Sequence, residues 1–185
     1  NFYLLERPIP ELCADRVDYS LREFSNDVVA SSLNNLSVYD GKLIFKNKKT
    51  AKLFAENFLL RQRIHWGAED TVARFKILSD LFKQALKAKI ISVADFLKDD
   101  DYVLRKLQKN PESKEVLTFL KNKNFDAKEK SQEFINKKFR HVDPIYLNKS
   151  NLCKLSDNDA GFRRFLEKER KHNAKGVMVP KIEVA

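Results

Sequence analysis

Only four glycines interrupt 185 residues, and that scarcity constrains the fold more than any other feature of the chain. Glycine supplies the backbone freedom that punctuates secondary structure. A chain poor in it and rich in Leu, Phe and Lys favours helices. The apolar positions agree. After Pro8 and Pro10 halt any preceding helix, Leu12, Val17, Leu21 and Phe24 recur at helical spacing and predict a helix over Glu11–Phe24. A shorter helix is expected over Asp27–Leu36, with Val28, Val29, Ser32 and Leu33 inward. Ser37-Val38-Tyr39 and Lys42 to Phe45 then flank Asp40-Gly41, the strongest hairpin signal in the chain.

From Thr50 the helical period returns through Leu53, Phe54, Phe58, Leu59 and Ile64, and again from Val72 to Leu86, with a bend expected at Trp66-Gly67. Ser92 suits the cap of a short helix over Val93–Leu97. Asp99 to Asp101 place negative charge at the start of a helix over Tyr102–Gln108, and Pro111 opens another that runs to Leu120. Residues 121–133 are polar and read as a linker or exposed loop. Phe134 to Val142 reads as either strand or helix, ended by Asp143-Pro144. A last helix over Asp157–Lys171 turns Ala160, Phe162, Phe165 and Leu166 inward, before Gly176 and the strand-like Val177-Met178-Val179. No internal repeat is evident. The expected class is mainly α, with a hairpin near residues 36–45 and minor C-terminal strands.

The length suits one domain, or one and a fraction. Nothing in the length demands two. The chain enters at Asn1 directly into the apolar, proline-bounded run Phe2 to Pro8. This reads as mid-domain sequence, so a longer parent polypeptide is expected.

Lys and Arg number 36 against 26 Asp and Glu, a formal charge of +10. Such a surplus favours polyanions, although lysine-rich helix faces are often only solvated. Much of the excess lies between Lys106 and Lys138, and Arg163–Lys175 is a second basic stretch. Cys13 and Cys153 form no close pair, so neither a disulfide framework nor a cysteine zinc site is expected, and a reducing, cytoplasmic setting fits. No run reaches the roughly 18 apolar residues of a membrane span.

Chemistry is concentrated on the Glu11 helix. Asp15, Asp18, Tyr19 and Arg22 lie three or four residues apart and share one side, opposite the apolar set. Two carboxylates, a phenol and a guanidinium on one surface suit a metal ion and phosphate oxygens. They also suit a solvated helix laced with ion pairs such as Asp18 to Arg22.

The order Ala14-Asp15-Arg16-Val17-Asp18-Tyr19, followed by Arg22-Glu23, resembles the D-[RK]-x-D-Y-x-x-R-D stretch of HD-domain metal-dependent phosphohydrolases, including the deoxynucleoside triphosphate triphosphohydrolases. Glu23 departs from the usual final Asp. The resemblance extends more weakly to about residue 110, through the hairpin, Arg61 and Arg63, His65-Trp66, and Asp99 to Asp101 ahead of Tyr102-Val103-Leu104. It implies that residues 1–110 are the distal part of an HD-type helical domain, with a basic helical or strand extension over 111–185, and a hydrolase of nucleotides or related phosphate esters. It also implies a divalent metal ion (Mn, Mg, Fe, Ni or Zn) as cofactor, and often an oligomer. Carried across by position, Asp15 is the metal ligand, Arg16 and Tyr19 face substrate, and Asp18 and Arg22 brace the helix. The family's remaining ligands are an upstream His and a His-Asp pair, in which imidazole and carboxylate hold the metal that activates water.

Here the only histidines, His65, His141 and His172, all lie after Asp15, and none precedes an Asp. The chain therefore reads as the C-terminal part of such an enzyme, lacking the upstream H…HD segment and inactive on its own. His65, between Ile64 and Trp66, suits packing or hydrogen bonding better than metal binding. No G-x-S-x-G elbow, cysteine-protease signature or glycine-rich phosphate loop is present. Two other readings stand beside the hydrolase. One is a non-catalytic module that grips nucleic acid or an acidic partner through its basic helices, and the other is a degenerate HD domain serving as a scaffold.

Overall fold

The computed structural model describes residues 3–121 and 132–180. Along the chain it places α1 (Ala14–Leu21), α2 (Asn26–Asn35), β1 (Leu36–Tyr39), β2 (Lys42–Phe45) and α3 (Lys48–Arg61), then a π-helical turn (Gln62–Trp66). There follow α4 (Glu69–Lys87), a 3-10 turn (Val93–Leu97), α5 (Asp100–Gln108), α6 (Pro111–Lys121) and β3 (Gln132–Ile135). The rest comprises β4 (Ile145–Asn148), β5 (Asn151–Lys154), α7 (Leu155–Asn158), α8 (Ala160–Asn173) and β6 (Val177–Pro180). The described residues are mainly helical with a few short strands, as the scarcity of glycine implies. No described helix is long and apolar enough to cross a membrane.

Two compact units form. One gathers the residues up to Ala68 with Lys137–Lys175; the other gathers Glu69–Asn136 with those from Gly176 on. In the first, α3 is the central element. Ala51, Phe54, Ala55, Phe58 and Leu59 line its inner face at helical spacing, each at most 1% exposed. Phe54 meets Phe24 and Phe45 with ring centroids 5.3 Å away in both cases. Phe162 and Leu166 of α8 close the same core. Burying each such phenylalanine contributes about 1.5–3 kcal/mol. Asn47 starts α3 by accepting the Thr50 amide at 2.9 Å, and Asp159 starts α8 by accepting that of Phe162 at 2.8 Å.

The sheet of this unit runs β1-β2-β4-β5. The hairpin expected at 36–45 is present, with Tyr39 opposite Lys42. Asp40 and Gly41 both adopt left-handed backbone, φ 49° and 66°, the two-residue turn that matches strand twist. The β4–β5 hairpin was not foreseen. Its turn is Lys149-Ser150, and the left-handed residue is Lys149 at φ 56°, so no Gly or Asn-Gly signal marks it. Its link to the first hairpin, β2 parallel to β4 at Phe45 and Tyr146, joins residues a hundred positions apart and leaves no local trace.

In the second unit Ile77, Leu81 and Ala85 of α4 pack with Val103 and Leu107 of α5 and Val116 and Leu117 of α6. Ser92 and Asp95 form a reciprocal capping box at the 3-10 turn, where the sequence suggested a short helix. Asp99 accepts the Tyr102 amide at 2.7 Å and starts α5. β3 and β6 pair antiparallel from Gln132 opposite Pro180 to Ile135 opposite Val177. Ala73 of α4 packs with Val177 and Val179. The stretch that read as strand or helix from Phe134 is strand only to Ile135. The polar stretch 121–133 falls mostly outside the described residues.

Candidate functional site

The helix carrying the motif begins at Ala14, three residues later than its apolar pattern predicts. Its opening amides are already taken. Ala14 N–H donates to the Leu4 carbonyl at 2.7 Å and Asp15 N–H to that of Leu5 at 3.2 Å, so the preceding strap does the work of a cap that Cys13 does not perform. Asp15 thus stands in the first turn, where the helix dipole favours an anion. Its carboxylate is exposed and makes no hydrogen bond or ion pair with the described residues.

Arg16 points the other way. It is 8% exposed, and its guanidinium donates to the Glu11 carbonyl at 2.9 Å, to Cys13 Sγ at 3.1 Å and to Glu6 Oε1 at 3.3 Å. In this conformation it ties α1 to the strap before it. Asp18 and Arg22, expected to brace the helix, pair with each other at 2.8 Å on the exposed side.

Tyr19 is half-buried, and its ring lies 5.1 Å from Trp66, edge to face, and 6.0 Å from Phe58. Burial pushes its hydroxyl up to about 12, against the pull of Arg16, with Asp15 adding to the rise and Arg140 opposing it. The phenol is protonated at neutral pH, as an ordinary tyrosine is, and can donate a hydrogen bond. Asp15, Arg16 and Arg140 each lie close enough to Tyr19 to act on its hydroxyl.

The π-helical turn brings two more groups to this surface. Gly67 closes it, and a Cβ there would stand 2.7 Å from both the Gln62 carbonyl oxygen and Gln62 Nε2. The buried Gln62 side chain donates to the Lys138 carbonyl at 3.1 Å. So held, the turn presents Trp66 to Tyr19, and places His65 Nδ1 3.0 Å from Glu23 Oε2. Glu23, the position where the motif departs from its pattern, is thus the hydrogen-bond partner of His65. Neither this pair nor Arg140 was foreseen as part of the site. A helix-breaking Gly after His65-Trp66 was the available signal, and π-turns often accompany functional sites.

A metal ion, implied by the resemblance, needs several donors at one point. Among the described residues no three His, Cys, Asp or Glu side chains converge in that way, and Asp15 offers a single carboxylate. These residues alone do not fit the group. Cys13 and Cys153 are both free thiols. A cleft of about 540 Å³ opens between Tyr3, Leu4 and Arg7, the hairpin tip at Gly41 and the β4–β5 pair, but Asp15, Arg16 and Tyr19 do not line it.

The chain is similar to the uncharacterized protein YdhJ of Bacillus subtilis (strain 168). Identity is 32% over 123 residues, which is 63% of this chain and 38% of that protein. The chain spans well under half the length of the relative it matches. No family model matches the chain, and no solved structure matches it.

Proposed function

We propose that this chain is the distal part of an HD-superfamily metal-dependent phosphohydrolase, contributing the last metal ligand and one wall of the substrate site. The substrate is a nucleotide or a related phosphate ester. The observation that carries the reading is the presentation of the motif. Asp15 is an exposed carboxylate in the first turn of α1 with no partner among the described residues, and Tyr19, one turn on, has its ring packed against Trp66 and Phe58. A mere ion-paired helix would use Asp15 as it uses Asp18.

On this reading an upstream segment would bring the His and His-Asp ligands to Asp15, and a metal held by them together would supply the water activation that phosphoester hydrolysis needs. The residues described here position and recognise. Asp15 completes the ligand set, Tyr19 donates to a substrate oxygen, and Arg16 holds α1 against its strap. The coding region upstream of Asn1 is the first test, and the lack of any His-Asp pair there would sink the proposal.

The second test is functional. In the complete polypeptide with manganese and a panel of nucleoside triphosphates, Asp15→Ala is expected to abolish turnover while changing stability by about 0.5 kcal/mol or less, since an exposed ligand carries little packing. Turnover that survives the substitution removes Asp15 from the chemistry.

A further inference from the structure

Four cations stand in line on α8. Arg164, Lys168, Lys171 and Lys175 are spaced four, three and four residues apart, the last just beyond the helix end. That spacing keeps them within one narrow stripe. The stripe lies opposite Phe162, Leu166, Glu169 and Asn173, the buried side of the helix. All four are exposed, and none forms an ion pair with the described residues. The acids of α8 are engaged elsewhere. Glu169 is 3% exposed and bonded to Arg63 at 3.0 Å, and Glu167 faces Arg170 at 3.5 Å.

Like charges at this spacing repel and weaken a helix, and a solvated face usually mixes signs. Four uncompensated cations along about 16 Å, at 1.5 Å rise per residue, form a linear electrostatic ridge. We propose that this ridge docks on a nucleic-acid backbone and recognises it by charge and not by sequence. The line matches a chain of phosphates better than it matches a lipid surface. A membrane-binding helix inserts an apolar face, whereas the apolar residues of α8 are in the core. No exposed aromatic side chain lies on the ridge to read bases. The other basic stretch is less apt in its described part, since Lys106 is bonded to Asp95 at 2.9 Å. The ridge shares no residue with the motif on α1, so its role is independent of the hydrolase reading.

The test is fluorescence anisotropy of the purified chain with labelled mixed-sequence single-stranded DNA across a salt series. Binding is expected at low salt, with log K falling against log salt at a slope near −3, on the order of 0.7 per phosphate contact for four contacts. R164E, K168E, K171E and K175E combined should weaken binding at least tenfold at low salt and flatten the slope. K87E, K98E, K109E and K114E combined, an equal change at exposed lysines off the ridge, should stay within about threefold. Circular dichroism checks that both variants fold. Three results would overturn the proposal: no binding by the unaltered chain at low salt, equal loss in the two variants, or tighter binding to phosphatidylserine vesicles or polyglutamate than to DNA. Asp15→Ala should bind DNA unchanged, which separates this outcome from that of the metal-ligand test.

Discussion

Arg16 shows how far a residue's neighbourhood can differ from its place in a motif. The sequence places it among substrate contacts, yet its guanidinium satisfies a carbonyl, a thiol and a carboxylate of the strap before α1. Nothing local foretells this, because the strap's path depends on Leu4 and Leu5 meeting the helix amides. Arg16→Ala is expected to cost about 2 kcal/mol in denaturant unfolding, through loss of the hydrogen bonds made by a charged, largely buried guanidinium. Arg16→Lys should recover only part, since an ammonium lacks the planar fork. A change under 0.5 kcal/mol in both would mean that these bonds do not hold the strap. His141 has the opposite character. Its Nδ1 is buried without a partner among the described residues, and its ring stacks on Phe139 with centroids 5.0 Å apart. Burial, and then Arg170, lower it to about 4. The unfolded chain, with histidine near 6.5, takes up a proton that the native site refuses. The associated stability is therefore present above about pH 6.5 and is lost as pH falls towards 4. Thermal melts between pH 7 and 4 should show this slope, and His141→Gln should remove it; an unchanged slope would assign it to other groups.

Among the elements, those set by local chemistry were legible. The hairpin at Asp40-Gly41, the caps at Ser92 and Asp99 and the helices of α3 to α6 all follow from neighbours in sequence. What escaped was set by distant partners or unusual backbone: the β4–β5 turn with a left-handed lysine, and the π-turn before Gly67. For the site the same division holds. Asp15 and Tyr19 on one helix were readable from spacing, while the Glu23–His65 contact joins residues 42 positions apart. Gly67→Ala tests what the π-turn does. The added methyl meets a backbone oxygen that cannot swing aside, so about 1–3 kcal/mol should be lost. Trp66 is the only tryptophan in the chain, and its emission should shift to the red as its contact with Tyr19 loosens. Wild-type emission and stability would show that the turn tolerates repacking.

At the scale of the whole molecule, the chain passes from one compact unit to the other and back before its last described strand returns to the second. β6 supplies both the only described partner of β3 and the apolar cover of Ala73. A chain ended at Lys175 should therefore lose hydrogen-exchange protection across α4 while keeping it in α3 and α8. Equal loss in all three helices would show that the units do not unfold separately. The same chain path sets a timetable during synthesis. Phe45 leaves the ribosome a hundred residues before Tyr146, its partner in the sheet, and α3 waits longer still for Phe162. The first unit therefore cannot complete its core until the chain has emerged beyond Phe162. Until then its phenylalanine face is open to any chaperone that recognises nascent apolar surface.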